Sequence, residues 1–171
     1  MAEYTDLETR IRVLEDIEAI RKLKAKYFRC LDKRLWDEMA DCFTEDAAAD
    51  FGPDMQFQGR TAILQFLKQI ILDSFLEVHQ GHNAEIDIAS DTTAYGIWEL
   101  FNYLIHQESN SRLLLGSFYE DEYVKEHGKW KIRSTKEVYI FKDLWELGIP
   151  PNDDGANVAR DKRTYPVVRL M

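Results

Sequence analysis

A chain of 171 residues with 31 acidic against 22 basic side chains carries a formal charge of −9 and holds no long Lys/Arg block, which argues against nucleic acid and anionic membranes as partners. Its composition, 45% hydrophobic and 31% charged, excludes a disordered chain and suits one globular domain with one core. No apolar run approaches the roughly 18 residues of a membrane span, and the opening MAEYTDLETR has no apolar leader, so a cytoplasmic protein is expected.

Leu7, Ile11, Leu14, Ile17, Ile20, Leu23, Tyr27 and Leu31 recur every three or four residues, which predicts a core-facing helix of about six turns. Asp32 follows, placed to cap a short second helix over KRLWDEMADCF, where Leu35, Met39 and Phe43 share a face. Cys30 and Cys42 lie in this region without a C-x-x-C spacing and are expected as two reduced thiols. Gly52 and Pro53 within DAAADFGPDMQFQG predict a small hairpin. Ile63, Phe66, Leu67, Ile70 and Ile71 then predict a third helix.

From residue 77 the period becomes two. EVHQGHNAEIDI, TTAYGIWELFNYLIH, RLLLGSFYEDEYVKE and KWKIRSTKEVYIF are four strands joined closely enough to pair antiparallel. The second has two apolar faces, Tyr95, Ile97, Phe101, Tyr103 and Ile105 on one, Ala94, Gly96, Trp98, Leu100, Asn102 and Leu104 on the other. Such a strand needs cover on both sides: helices or a pocket on one, a second subunit on the other. Gly96 and Ala94 beside Trp98 either leave room for a flat ligand or accept a packed neighbour. Pro150, Pro151 and NDDG mark a break, so residues 1–142 are expected as the domain and 143–171 as a loosely attached tail. The whole predicts an α+β cone: three N-terminal helices packed on a strongly curved antiparallel sheet, with an internal pocket.

HQGHN at 79–83 raises the question of a metal. In an extended segment His79 and His82 point to opposite faces, and neither H-E-x-x-H nor a third ligand accompanies them, so no metal is expected. The useful reading is one inward histidine, His79.

DIEAIRKLKAKYFRCLDKRLWDEM, HQGHNAEIDIASDTTAYGIW, FYEDEY and GKWKI together resemble the SnoaL-like branch of the nuclear transport factor two-like superfamily over about residues 10 to 142. Within it they most resemble bile acid 7-alpha-dehydratase and, more distantly, scytalone dehydratase. The resemblance implies a deep apolar pocket, a homo-oligomer (dimer or trimer), and chemistry without metal or organic cofactor. It also implies a catalytic trio of Tyr27 and Asp32, from KYFRCLD, with His79. An imidazole can take a proton from carbon, Asp32 can fix its tautomer, and a Tyr27 hydroxyl can bond a developing oxyanion. Each has a plainer alternative: Asp32 as helix cap, Tyr27 as one more residue of the apolar stripe with its hydroxyl reaching solvent, His79 as a strand-end histidine bonded to backbone.

Phe51, Trp98, Asn102, Tyr119 and Tyr139 are the expected ligand contacts. Asn102 stands where the dehydratase has a second carboxylate, Phe51 where it has a Tyr and Tyr139 where it has an Arg, so a ligand that is less anionic or held differently is expected. The resulting expectation is a cofactor-independent, dehydratase-like lyase or isomerase acting on a polycyclic, steroid-like or aromatic small molecule. The alternatives are a non-catalytic carrier or sensor, or the small subunit of a ring-hydroxylating dioxygenase.

Overall fold

The first helix begins where Asp6 turns its carboxylate back onto Thr9, accepting the backbone N–H at 2.8 Å and the hydroxyl at 2.8 Å, an N-cap that satisfies otherwise orphaned donors. From there the computed structural model describes residues 6–146. In chain order they form α1 (Leu7–Asp32), α2 (Trp36–Ala40), β1 (Phe43–Asp50), β2 (Gln56–Gln58), α3 (Arg60–Ile70), β3 (Phe75–Ile88), β4 (Thr93–His106), β5 (Ser111–Glu126) and β6 (Lys129–Glu146). The sheet order is β2-β1-β6-β5-β4-β3. The α+β class, the three helices and the β3–β6 meander are as the sequence predicts.

Four details differ. The sheet is mixed, because β1 runs parallel to β6; that pairing joins segments far apart in sequence, which local periodicity does not register. Phe43 opens β1 rather than closing α2. Asp32 is the last residue of α1, and the residue capping α2 is Leu35, with no side-chain cap. The apolar stripe of α1 is also only partly covered: Leu7, Ile11 and Leu14 are exposed, while the buried face includes Asp16 and Lys24. Residues 143–146 of the expected tail complete β6; the rest of the tail lies outside the described residues.

Both charged residues on the buried face of α1 reach partners across the sheet. Asp16 accepts Trp130 Nε1–H at 2.8 Å and pairs with Lys125 at 2.6 Å. Lys24, wholly buried, donates to Asp121 Oδ2 at 2.7 Å. Asp121 also accepts the hydroxyls of Tyr123 and Thr135, each at 2.6 Å, and Tyr123 in turn accepts Trp98 Nε1–H at 2.9 Å. Every member of this network is hydrogen-bonded, the condition under which a buried ion pair is tolerated.

Two glycines set the fit. A Cβ on Gly81 would lie 2.0 Å from the Phe28 ring, so β3 accepts α1 because that position is bare. A Cβ on Gly96 would lie 2.9 Å from Tyr123: the room beside Trp98 is filled by a packed neighbour, not kept for a ligand. On the opposite face of the sheet Leu76, Val78, Tyr95, Ile97, Phe101, Tyr103, Phe118 and Val138 are exposed.

Lys24→Met removes one charge and strands Asp121 in the core. Urea unfolding should show a loss of about 3–5 kcal/mol, most of it recovered in Lys24→Met/Asp121→Leu. A single variant as stable as the wild type would show that the pair does not hold α1 to the sheet.

Candidate active site

The C-terminal turn of α1 and the middle of β3 bring the first two functional side chains together. Asp32 ends the helix, and its carboxylate accepts the backbone N–H of His79 at 3.1 Å. The same Oδ1 lies 2.7 Å from His79 Nδ1. A carboxylate only accepts, so Nδ1 carries the proton, and in the neutral imidazole Nε2 is then a bare acceptor. Phe28 stacks on the imidazole, with ring centroids 6.2 Å apart and 14° between planes. His82, three residues on, is far more exposed, its side chain at 45% against 10% for His79, in accord with opposite faces of a strand.

His79 forms part of the wall of a partly open cavity of about 160 Å³ between α1, the turn after β1, α3 and strands β3–β6. Asp32 is not in that wall; it stands behind the imidazole, beside an open surface groove between α1 and β3. His79 itself borders both spaces, and its Nε2 makes no hydrogen bond to a described residue. Across the β3–β4 ladder His79 is paired with Asn102, whose buried amide also lines the cavity.

Tyr27, Phe51, Tyr119 and Tyr139 complete the expected contacts in the cavity wall. Tyr27 is fully buried, so the alternative of a hydroxyl reaching solvent does not hold. Its hydroxyl has no hydrogen-bond partner of good geometry, although the Tyr119 hydroxyl is near enough to act on it. Burial pushes both phenols up, so both are protonated donors at neutral pH. Beneath them Lys24 Nζ sits 3.7 Å from the Tyr119 ring centre and 4.7 Å from that of Tyr27. Trp98 does not line the cavity; its indole is held by Tyr123, because the β4 residues that reach the cavity are Leu100, Asn102 and Leu104.

Two cavity residues were missed in the sequence. Glu77 is two positions before His79 and so on the same face; its side chain is only 4% exposed, and Oε1 has no hydrogen bond. Burial raises its pKa, against the pull of His79 and Arg34. Glu137, two before Tyr139, accepts Ser117 Oγ at 2.8 Å and Tyr139 Oη at 3.1 Å, and burial raises its pKa too. Period-two counting from His79 and Tyr139 would have found both. The second carboxylate missing at Asn102 is thus supplied from neighbouring positions. Among the described residues no group of three or more His, Cys, Asp or Glu side chains comes together to hold a metal, and no helix is long and apolar enough to cross a membrane.

A profile of the SnoaL-like domain matches residues 12–136. The uncharacterized protein Rv2910c of Mycobacterium tuberculosis is 25% identical over 133 residues, 77% of this chain and 90% of that protein. The crystal structure of a "Putative Scytalone Dehydratase" from Novosphingobium aromaticivorans superposes with a TM-score of 0.74 at 23% identity, covering 86% of this chain and 99% of that one. Hexachlorocyclohexane dehydrochlorinase LinA-type3 from Novosphingobium barchaimii gives 0.73 at 20% identity, covering 83% and 99%. At these identities the solved structures establish the shared fold.

Glu77 makes the cavity's electrostatics measurable. Its carboxyl holds a proton more tightly folded than unfolded, so its favourable contribution is complete below the ordinary value of 4.5 and is lost as pH rises through the raised value. Glu77→Gln lacks this loss. Urea unfolding from about pH 4 upward should therefore show the wild type losing stability relative to the variant; a difference independent of pH would contradict a carboxyl disfavoured as an anion.

Proposed function

The chain belongs to the SnoaL-like domain family, and from that premise we propose that it is a cofactor-independent lyase of the dehydratase kind, eliminating water from a hydroxylated, ring-bearing small molecule. The observation that carries the reading is the His79–Asp32 contact of 2.7 Å with His79 in the wall of an apolar, aromatic cavity. A solvent-facing histidine would have no such use. The structural likeness to proteins named for dehydration and dehydrochlorination adds support, since both names describe eliminations.

In the proposed step His79 Nε2 takes the proton from a carbon beside a carbonyl, and Asp32 stabilises the imidazolium that forms. Asn102 or the Tyr27 hydroxyl bonds the oxyanion as it develops. The C–O bond then breaks, and the hydroxyl leaves with a proton returned from the imidazolium. One C–H and one C–O bond are exchanged for a C=C bond and water. No electron acceptor is needed.

The proposal extends to assembly and setting. The exposed apolar side chains of β3–β6 form one continuous face, with Phe101 beside Gln80 and Gly116 in the ladder, and we assign it to a second copy of the chain. Two buried, unpaired thiols, Cys30 and Cys42, are what a reducing cytoplasm maintains, and burial pushes that of Cys42 up to about 12.

Two measurements check these readings. Incubated with hydroxylated cyclic ketones, the wild type should yield products one water lighter by mass spectrometry. His79→Ala should lower the rate by at least about a hundredfold and Asp32→Asn by a similar or larger factor, through the wrong tautomer. Binding without turnover, equal in both forms, would make the protein a carrier. In analytical ultracentrifugation the wild type should sediment above the mass of one chain and Phe101→Arg as a single chain; a monomeric wild type would refute the assigned interface.

A further inference from the structure

The cavity's size and its unmet hydrogen-bonding groups restrict what it can hold. At about 160 Å³ it is close to the roughly 150 Å³ apolar cavity that takes a benzene molecule, and well below the roughly 300 Å³ at which drug-sized pockets begin. A steroid or other polycyclic frame exceeds it.

Donors line it, in the Tyr27 and Tyr119 hydroxyls and the Asn102 amide, and the β3 side chains Glu77 and His79 add acceptors. Glu77 Oε1 is buried without a hydrogen bond, 3.4 Å from Arg34 Nη2 but off hydrogen-bond geometry. His79 Nε2 is a bare acceptor for the reason given above. Glu137 adds a second buried carboxyl, and among the described residues no Lys or Arg lines the space. The nearest cations are committed elsewhere. Arg34 donates to the carbonyls of Asp32, Leu72 and Phe75. Lys24 is held by Asp121, and Lys142 lies 3.4 Å above the Tyr139 ring. A full anion entering here would have neutral donors but no free cation among the described residues, at a place where burial already disfavours the negative charge of Glu77. A donor would instead satisfy an orphaned acceptor.

We infer that the cavity takes a one-ring molecule whose polar group is a hydrogen-bond donor, an alcohol or an amine seated against Glu77, and that it rejects carboxylates and phosphates. This deepens the lyase reading and rests on it for the claim that such a ligand is the substrate. The donor class itself follows from the cavity alone.

Benzyl alcohol, benzylamine and benzoate share a ring and differ in the group presented to Glu77. None of them can eliminate water across a carbon–carbon bond, so binding is read without the chemistry, and failure here is separable from failure of the lyase reading. Calorimetric titration of the full chain near neutral pH should give saturable binding of the alcohol, the amine or both, with benzoate at least about tenfold weaker. Glu77→Leu should weaken whichever ligand binds by about tenfold. Glu77→Gln then separates the two sources: it weakens the amine, which loses its counter-charge, and spares the alcohol, which keeps an acceptor.

Benzoate binding as tightly as the others, saturation by none of the three, or an affinity unchanged in Glu77→Leu would overturn the inference. Should the variants fail to fold, the wild-type ranking decides it.

Discussion

Asp32 grips His79 twice, through the backbone N–H and through the ring, and the arrangement of the site follows from that double contact. The first fixes where the end of α1 meets β3; the second fixes which imidazole nitrogen is protonated. A helix C-terminus is an unfavourable place for a carboxylate, since the dipole there is negative. Asp32 is retained at such a position with two donors from another element, so its role lies in the contact across to the strand and not in the helix it ends. Gly81 belongs to the same device, because only a bare position lets the Phe28 ring settle on the strand beside the imidazole.

The rest of α1 is held down by charge as much as by apolar packing. Ile20, Tyr27, Phe28 and Leu31 supply apolar burial, but Asp16 and Lys24 reach through the core to β5 and β6. Burial depresses the pKa of Lys24, and Asp121 opposes the shift. The network costs desolvation, and its return is directional: a helix packed by a uniform apolar stripe could slide by a turn, whereas one pinned at two buried charges cannot without breaking them. That registry delivers Tyr27 and Asp32 to the cavity and to His79.

Inside the cavity the polar groups divide by function. His79 lines the wall with Asp32 behind its ring, the pair proposed as a base and its support. Tyr27 and Tyr119 are phenols kept protonated by burial, suited to donate. Glu77 and Glu137 are carboxyls whose ionised forms burial disfavours.

Much of this was legible in the sequence for physical reasons. The switch from period 3.6 to period two at residue 77 located the meander, and alternation along HQGHN separated His79 from His82. Resemblance, not periodicity, brought Tyr27, Asp32 and His79 together as a set. What stayed hidden was long-range or disguised. The parallel β1–β6 pairing leaves no local trace. Lys24 and Asp16 drew no reading because their partners lie roughly a hundred residues away. Gly96 stayed open between a ligand and a packed neighbour because Tyr123, which fills the space, sits on the adjacent strand. Glu77 and Glu137 were passed over, although the same alternation that singled out His79 places Glu77 beside it.

The most direct test of the account is the tautomer of His79, read from the imidazole nitrogens by long-range ¹H–¹⁵N NMR at a pH where the ring is neutral. The account predicts a proton on Nδ1 and a bare Nε2, with the order lost or reversed in Asp32→Asn. A ring protonated on Nε2 in the wild type, unaffected by that substitution, would contradict the claim that this cavity is built around a histidine base.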